Sequence, residues 1–232
     1  MPTMPLRLGL ICVVVQALSL VVDRATATPL HDTGMPLPVL LAIESVIAYG
    51  PALLVLRWAL RMPPQRRSVG DALGLRFRWA DLGWGLLTWV CAFAGQIVIA
   101  VAVLIAHIPY TTNTSGRGFD RLVDRRLLYT TFAIVAVVVA PFVEELVFRG
   151  LVLRALRSRM PLVPAVFIQG VLFGSAHIQL AYGLRNIGLV IVLSWIGIAF
   201  GFVAAWMRRI GPTIIAHALM NGFVLILMLA RR

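Results

Sequence analysis

The chain has 232 residues, of which 60% are hydrophobic and only 13% are charged, and its mean hydropathy is +0.93. Soluble domains carry roughly 25% charged residues, so this composition excludes an ordinary soluble domain and predicts an integral membrane protein. The net charge is +12, but the arginines cluster between apolar runs, where such residues set membrane topology. No basic stripe with interleaved aromatic residues is present on a polar segment, so nucleic acid is not an expected partner.

The first half of the chain predicts three membrane-spanning helices, over residues 8–22, 36–60 and 79–107. The first run is short, and Ala25-Thr26-Ala27 behind it resembles a signal-peptidase site, so a first crossing and a cleaved signal peptide are both open. The second run holds one acidic residue, Glu44. The connection behind it predicts a cytoplasmic loop because it is crowded with arginines, namely Arg57, Arg61, Arg66, Arg67, Arg76 and Arg78.

The second half predicts four more spans, over residues 127–156, 161–180, 188–207 and 211–230. The predicted fold is therefore an all-α polytopic membrane helix bundle with about seven transmembrane helices. Small residues that predict close helix packing recur in the later spans, among them Gly170, Gly174, Gly197 and Gly201. Two regions follow: residues 1–126 hold the N-terminal helices and the basic cytoplasmic connection, and residues 127–232 hold the polar motifs.

Three charged residues interrupt an apolar run in the second region: Glu144, Glu145 and Arg149. Charged groups in hydrocarbon are costly without partners, so they indicate a functional site by default. At 100° per residue, Glu145 and Arg149 lie on nearly the same helical face and can neutralise each other. Glu144 points about 100° away from that pair, which leaves its carboxylate for chemistry.

Two further polar pairs lie inside apolar runs downstream. Phe173 and His177, in the sequence FGSAH, are four residues apart on the fifth predicted span. His217 and Asn221, in HALMN, are four residues apart on the last span and project from one helical face. A single histidine in a membrane helix is more often a hydrogen-bonding group than a catalyst. Convergence of these groups with Glu144 predicts a site that transfers protons.

These segments resemble a known family. EELVFR (residues 144–149) matches an EExxxR pattern, FGSAH (173–177) matches FxxxH, and HALMN (217–221) matches HxxxN. Their order and spacing are similar to those of the CPBP family, which comprises the CAAX prenyl endopeptidases and bacteriocin-processing intramembrane proteases and is also called Abi. The resemblance covers residues from about 127 to 221.

The resemblance implies a multi-pass intramembrane endopeptidase, in the prokaryotic cell membrane, that hydrolyses membrane-associated or lipidated protein or peptide substrates. By carry-over, Glu144 and His177 activate water, His217 and Asn221 stabilise the oxyanion, and Glu145, Arg149 and Phe173 support them. Two forms of the mechanism stay open at this point. One is metal-free glutamate catalysis, and the other is a zinc site made by Glu144, His177 and His217. No organic cofactor is expected.

Two other functions compete with proteolysis. A transporter or proton relay also places carboxylates and imidazoles at mid-membrane, but no inverted repeat is apparent in the sequence. A non-catalytic immunity or scaffold protein is the second alternative, which the family name allows. Such a protein is expected to lose motif residues, and all three motifs are intact here.

Overall fold

The computed structural model describes residues 4–31, 33–61, 69–112 and 126–230, and within these ranges every regular element is a helix. The long helices are α1 (Leu6–His31), α2 (Leu37–Arg61), α4 (Ala80–Ile105), α5 (Arg126–Leu156), α7 (Asn186–Met207) and α8 (Gly211–Ala230). The shorter elements are α3 (Val69–Leu73), α6 (Leu162–Ser175) and a 3₁₀ turn at Leu180–Arg185. Arg66 and Arg67 of the arginine-rich connection lie outside the described residues.

The six long helices are each long and apolar enough to cross a membrane, which confirms a polytopic helix bundle. The remaining predicted span corresponds to α6, but α6 has only 14 residues and extends about 21 Å, less than the roughly 30 Å of a bilayer core. The predicted range 161–180 is therefore wrong at its C-terminal end, because the helix stops at Ser175.

The chain leaves α6 at that point because a later side chain takes over backbone hydrogen bonds. Asn186 Oδ1 accepts from the Gln179 N–H at 3.0 Å, and Asn186 Nδ2 donates to the Gln179 carbonyl at 2.8 Å. The same Nδ2 donates to the carbonyl of Gly183, whose φ of 51° favours glycine. Since asparagine side chains compete with helical bonding in this way, residues 176–185 form a compact connection.

Helices α1 and α2 form a hairpin that packs against α5. α1 continues to His31, so its 26 residues include Ala25-Thr26-Ala27 and extend beyond the apolar run predicted at 8–22. Gln16 Nε2 donates to the Ala48 carbonyl at 3.1 Å and ties α1 to α2. A Cβ at Gly9 would overlap Ala155, so glycine permits the close approach of α1 to α5. The N-terminal region therefore supports the helix that carries the paired glutamates.

Helix α5 is an α-helix interrupted by two π-turns, Val135–Val139 and Leu146–Val152. In the first, the Ala140 N–H donates to the carbonyl of Val135, five residues back. The next donor in that register belongs to residue 141, which is a proline and has no N–H. Pro141 therefore loosens the main-chain hydrogen bonding of α5 at this point. As a consequence, the carbonyl of Ala136 lacks its usual main-chain donor.

Glycines bring α6 and α7 together, as the small-residue pattern predicts. A Cβ at Gly197 would lie 2.7 Å from the Cα of Gly170, and a Cβ at Gly174 would lie 2.6 Å from the carbonyl oxygen of Val190. No larger residue fits at these contacts without moving the helices apart. The close packing places the Gly197 carbonyl within reach of Arg149 on α5.

Candidate active site

Glu145 and Arg149 form the ion pair that their spacing predicts. Arg149 Nη1 donates to Glu145 Oε1 at 2.7 Å, and both side chains are fully buried. Arg149 Nη2 donates to the Gly197 carbonyl at 3.3 Å, and the guanidinium carbon lies 4.4 Å from the centre of the Phe173 ring. The cation is thus held by a carboxylate, a carbonyl and an aromatic face, and this arrangement suits a structural pair.

His217 on α8 contacts both glutamates of α5. Its Nδ1 lies 3.1 Å from Glu145 Oε1, and its Nε2 lies 3.8 Å from Glu144 Oε2. Because Glu145 is ionised beside Arg149 and can only accept, Nδ1 of His217 carries the proton and donates it. In the neutral imidazole, the Nε2 lone pair therefore faces Glu144.

The His177 ring also directs its Nε2 toward Glu144, although His177 does not lie on a helix. It occupies the turn after α6, which corrects the prediction that His177 lies on the fifth membrane-spanning helix. The main-chain N–H of His177 donates to the Gly174 carbonyl. The Phe173 carbonyl is therefore available to the ring nitrogen Nδ1 of His177, which lies 2.9 Å away. Because a carbonyl can only accept, Nδ1 of His177 carries the proton. In the neutral ring, Nε2 then has a lone pair, and it lies 3.9 Å from Glu144 Oε2.

Glu144 lies next to both imidazoles. Its Oε2 is buried and has no hydrogen-bond partner among the described residues, and its side chain is 14% exposed. Its Oε1 accepts a hydrogen bond from the Tyr49 hydroxyl at 2.9 Å. Glu144 is thus separate from the ion pair, as predicted, but it is not without a partner. Tyr49 lies on α2 and belongs to none of the three motifs, and no local sequence signal indicates its role.

Asn221 compensates for the break in α5. Its Nδ2 donates to the Ala136 carbonyl at 2.7 Å, which supplies the donor that Pro141 cannot provide. This bond joins α8 to the first π-turn, about two turns before Glu144. His217 and Asn221 project from one side of α8, as their spacing predicts, but in this structure they bond to different parts of α5.

A cavity of about 290 Å³ lies beside these groups, bounded by α4, α5, α7 and α8. Glu144, His177, His217 and Asn221 all line it. Much of the remaining wall is apolar and includes Phe93, Phe132, Leu189, Val192, Met220 and Val224. The structure therefore brings the four predicted catalytic residues into the wall of one largely apolar cavity.

The proposed zinc ligands Glu144, His177 and His217 lie farther apart than the donor atoms of a zinc site. Donor atoms on one tetrahedral zinc, at 2.0–2.1 Å from the metal, are about 3.3 Å apart, whereas Glu144 Oε2 lies 3.8 Å from Nε2 of His217 and 3.9 Å from Nε2 of His177. Among the described residues, no group of three or more His, Cys, Asp or Glu side chains is arranged to hold a metal ion. As placed, the three side chains do not form a ligand set, and the zinc form of the mechanism stays an untested alternative to metal-free catalysis.

Comparisons with known proteins identify similar membrane peptidases. Residues 126–223 match the family described as "Type II CAAX prenyl endopeptidase Rce1-like". The chain is 28% identical over 188 residues to "Putative membrane peptidase YdiL" of Bacillus subtilis (strain 168), covering 80% of this chain and 71% of that protein. It is 24% identical over 152 residues to "Membrane-embedded CAAX protease MroQ" of Staphylococcus aureus (strain USA300), covering 63% of this chain and 58% of that protein. No solved structure matches the chain.

These matches confirm the family resemblance that the three motifs indicate. The matched segment begins with α5 and ends just beyond Asn221, so it contains every predicted catalytic residue. The chain is an integral membrane protein that is similar to CAAX-type proteases, and the comparisons support intramembrane protease activity. Tyr49 lies outside the matched segment.

Proposed function

We propose that the protein is an endopeptidase of the prokaryotic cell membrane that hydrolyses peptide bonds in membrane-associated or lipidated protein or peptide substrates. The convergence of Glu144 Oε2 with Nε2 of His177 and His217, in the wall of a largely apolar cavity, supports the proposal most directly. Cavity walls of this kind favour a hydrophobic segment next to the scissile bond. The bilayer is the medium that delivers such a segment.

The charges of the cluster indicate that it holds one additional proton. With neutral imidazoles, ionised Glu144 and Glu145 contribute two negative charges, and Arg149 contributes one positive charge. A net charge buried at membrane depth is costly. We therefore place an additional proton among Glu144 Oε2 and the two Nε2 atoms that face it, where it is available for acid–base catalysis.

In the proposed reaction, Glu144 accepts a proton from water while the water oxygen attacks the carbonyl carbon of the peptide bond. His177 orients the same water through its Nε2 lone pair. His217, protonated on both nitrogens beside Glu145, donates its Nε2–H to the oxygen that becomes negative. The proton on Glu144 then passes to the leaving nitrogen, so one product gains the hydroxyl and the other gains the hydrogen.

Asn221 completes the proposed oxyanion site. The bond from one of its N–H groups to the Ala136 carbonyl fixes the side-chain amide. The amide has a second N–H that this bond does not use, and we assign it to the developing negative charge. Glu145, Arg149 and Phe173 act as positioning residues, because they hold the two imidazoles and do not face the attacking water.

Peptide cleavage by purified protein tests the proposal. The wild-type protein in detergent is incubated with a fluorogenic peptide panel and with solubilised membrane-protein extract, and new termini are read by mass spectrometry. Glu144→Gln is the matched control, since it keeps the size of the side chain and removes the base. We expect cleavage only by the wild type. Equal cleavage by both would contradict the assignment, and a folded protein without any cleavage would favour the non-catalytic immunity or scaffold alternative.

A further inference from the structure

Glu144 and His177 also line a second cavity, of about 140 Å³. It lies on the α1–α2 side of α5, whereas the larger cavity is bounded by α4, α7 and α8. Its other lining residues are Gln16, Leu20, Tyr49, Phe148, Ala176 and Gln179. Five of its eight lining residues carry polar side chains, so it differs in character from the larger cavity. The Glu144–His177 pair therefore contacts two separate spaces.

Polar residues continue from this second cavity along the α1–α2 hairpin. Gln16, Ser19 and Asp23 recur every three or four residues on one face of α1, and Gln16 and Ser19 are buried. Asp23 is near enough to the Tyr49 hydroxyl to interact with it electrostatically, and Glu44 lies on the facing helix. Gln16 and Ser19 each donate one hydrogen bond, to the Ala48 and Val15 carbonyls, and the stripe offers a polar surface that can lead water to the cavity.

The second cavity also adjoins irregular backbone. Residues 176–179 connect the end of α6 to the 3₁₀ turn and are not helical. Within a bilayer, non-helical backbone is tolerated where protein covers it or where it lines a water-filled space. A volume of about 140 Å³ has room for about four waters at roughly 30 Å³ each, and Glu144 Oε2 offers them a buried acceptor.

We propose that this second cavity is the binding site of the hydrolytic water, supplied along the polar face of the α1–α2 hairpin, while the substrate occupies the larger cavity. The inference rests on the proposed proteolytic function. One water O–H bond breaks, its proton goes to Glu144, and its oxygen bonds to the substrate carbonyl carbon. Water and substrate thus reach the Glu144–His177 pair from different sides of α5, so a bound apolar substrate does not block the supply of water.

Thiol labelling tests whether water fills the second cavity, and it needs no enzyme assay. In a Cys12→Ala/Cys91→Ala background, Leu20→Cys places a thiol on the cavity wall, and Leu18→Cys places one on an outward face, where Leu18 is 59% exposed. A charged, water-soluble methanethiosulfonate reagent is applied to proteoliposomes permeabilised to it. We expect position 20 to react on the order of tenfold faster, because thiolates form in water and not in lipid. Equal, slow reaction at both positions overturns the proposal.

The route of the water is tested by filling the cavity. Leu20→Trp adds bulk to the cavity wall, and Val21→Trp adds the same bulk at an outward position that is 62% exposed. We expect Leu20→Trp to lower kcat by about tenfold or more with KM unchanged, and Val21→Trp to leave both near wild type. Unchanged kcat in Leu20→Trp overturns the water route while wild-type cleavage still stands. Cleavage by Glu144→Gln at the wild-type rate would instead contradict the proposed function.

Discussion

Two adjacent carboxylates on α5 occupy opposite environments. Glu145 is fully buried, and its Oε1 is shared by Arg149 and His217. Glu144 borders two cavities, accepts a hydrogen bond from Tyr49, and has one oxygen without a hydrogen-bond partner in the described part of the chain. Each carboxylate has one oxygen without a hydrogen-bond partner among the described residues, so that property does not distinguish them. The comparison indicates that full burial beside a cation marks the supporting residue, and that a carboxylate beside open space marks the reactive one.

The two environments also depend on each other. His217 joins them, since one ring nitrogen donates to Glu145 and the other faces Glu144. The Glu145 carboxylate therefore fixes the imidazole orientation that Glu144 requires. A change at the supporting site is expected to reduce both stability and activity, whereas a change at Glu144 is expected to reduce activity alone.

The largest effect is expected from Glu144→Gln. Removing the proposed base should lower turnover by about 100- to 10,000-fold, because that is the usual contribution of general acid–base catalysis. The melting temperature in detergent should change little, since the Tyr49 hydroxyl can still donate to the amide oxygen. Turnover and thermal unfolding are measured on the same preparation. A melting temperature as low as that of an ion-pair variant would contradict the division between the two glutamates.

Arg149→Ala is expected to destabilise the fold by roughly 3 to 5 kcal/mol, because it leaves Glu145 buried without its cation. Thermal unfolding in detergent measures this loss, and Glu145→Gln should behave similarly. The double variant Glu145→Gln/Arg149→Met is the control. It removes both charges and should recover part of the stability but not the activity, because His217 loses the carboxylate that orients it.

Asn221→Ala is expected to lower kcat by about 100- to 1,000-fold with little change in KM, since it removes a proposed oxyanion donor. It also leaves the Ala136 carbonyl without a donor, so stability should fall by about 1 to 3 kcal/mol. Asn221→Asp should be worse on both measures, because a carboxylate then faces the carbonyl and the oxyanion.

Pro141→Ala separates these two roles of Asn221. It restores a main-chain N–H in the register of the Ala136 carbonyl, so the double variant Asn221→Ala/Pro141→Ala should recover stability without recovering kcat. Recovery of both would make Asn221 a positioning residue for α5. A rise in KM at unchanged kcat in Asn221→Ala would instead assign it to substrate binding.

Tyr49→Phe is expected to have a smaller effect, a loss of about 10- to 150-fold in kcat, corresponding to one hydrogen bond to a charged group. The ring stays in place, so packing and the melting temperature should be preserved. Steady-state kinetics give the result, with Tyr182→Phe, outside both cavities, as the matched control. Wild-type kinetics in Tyr49→Phe would show that Glu144 does not depend on α2.

The smallest effect is expected from metal removal. Since Glu144, His177 and His217 as placed do not form a ligand set, turnover should survive exhaustive chelation. Elemental analysis of the purified protein and of His177→Ala provides the second measurement. Inactivation by chelator, recovery with added zinc, and about one metal per chain that disappears in His177→Ala would establish the zinc form of the mechanism instead.

The sequence alone determined what depends on composition and local spacing. Hydropathy placed the long helices because each must match the bilayer, and the predicted last span coincides with α8 at Gly211–Ala230. The Glu145–Arg149 pair followed from a separation of four residues, and Pro141 marked the break in α5 because proline has no N–H to donate. The three motifs indicated the protease family that the comparisons support.

Only the tertiary structure decided the features that depend on distant residues. Tyr49 reaches Glu144 across 95 residues, and Asn221 reaches Ala136 across 85. The end of α6 depends on Asn186, whose side chain bonds to Gln179 and stops a run that is apolar enough to continue. The two cavities beside Glu144 result from how four or more helices pack against α5. Local periodicity carries no information on such contacts, because packing between separate helices creates them.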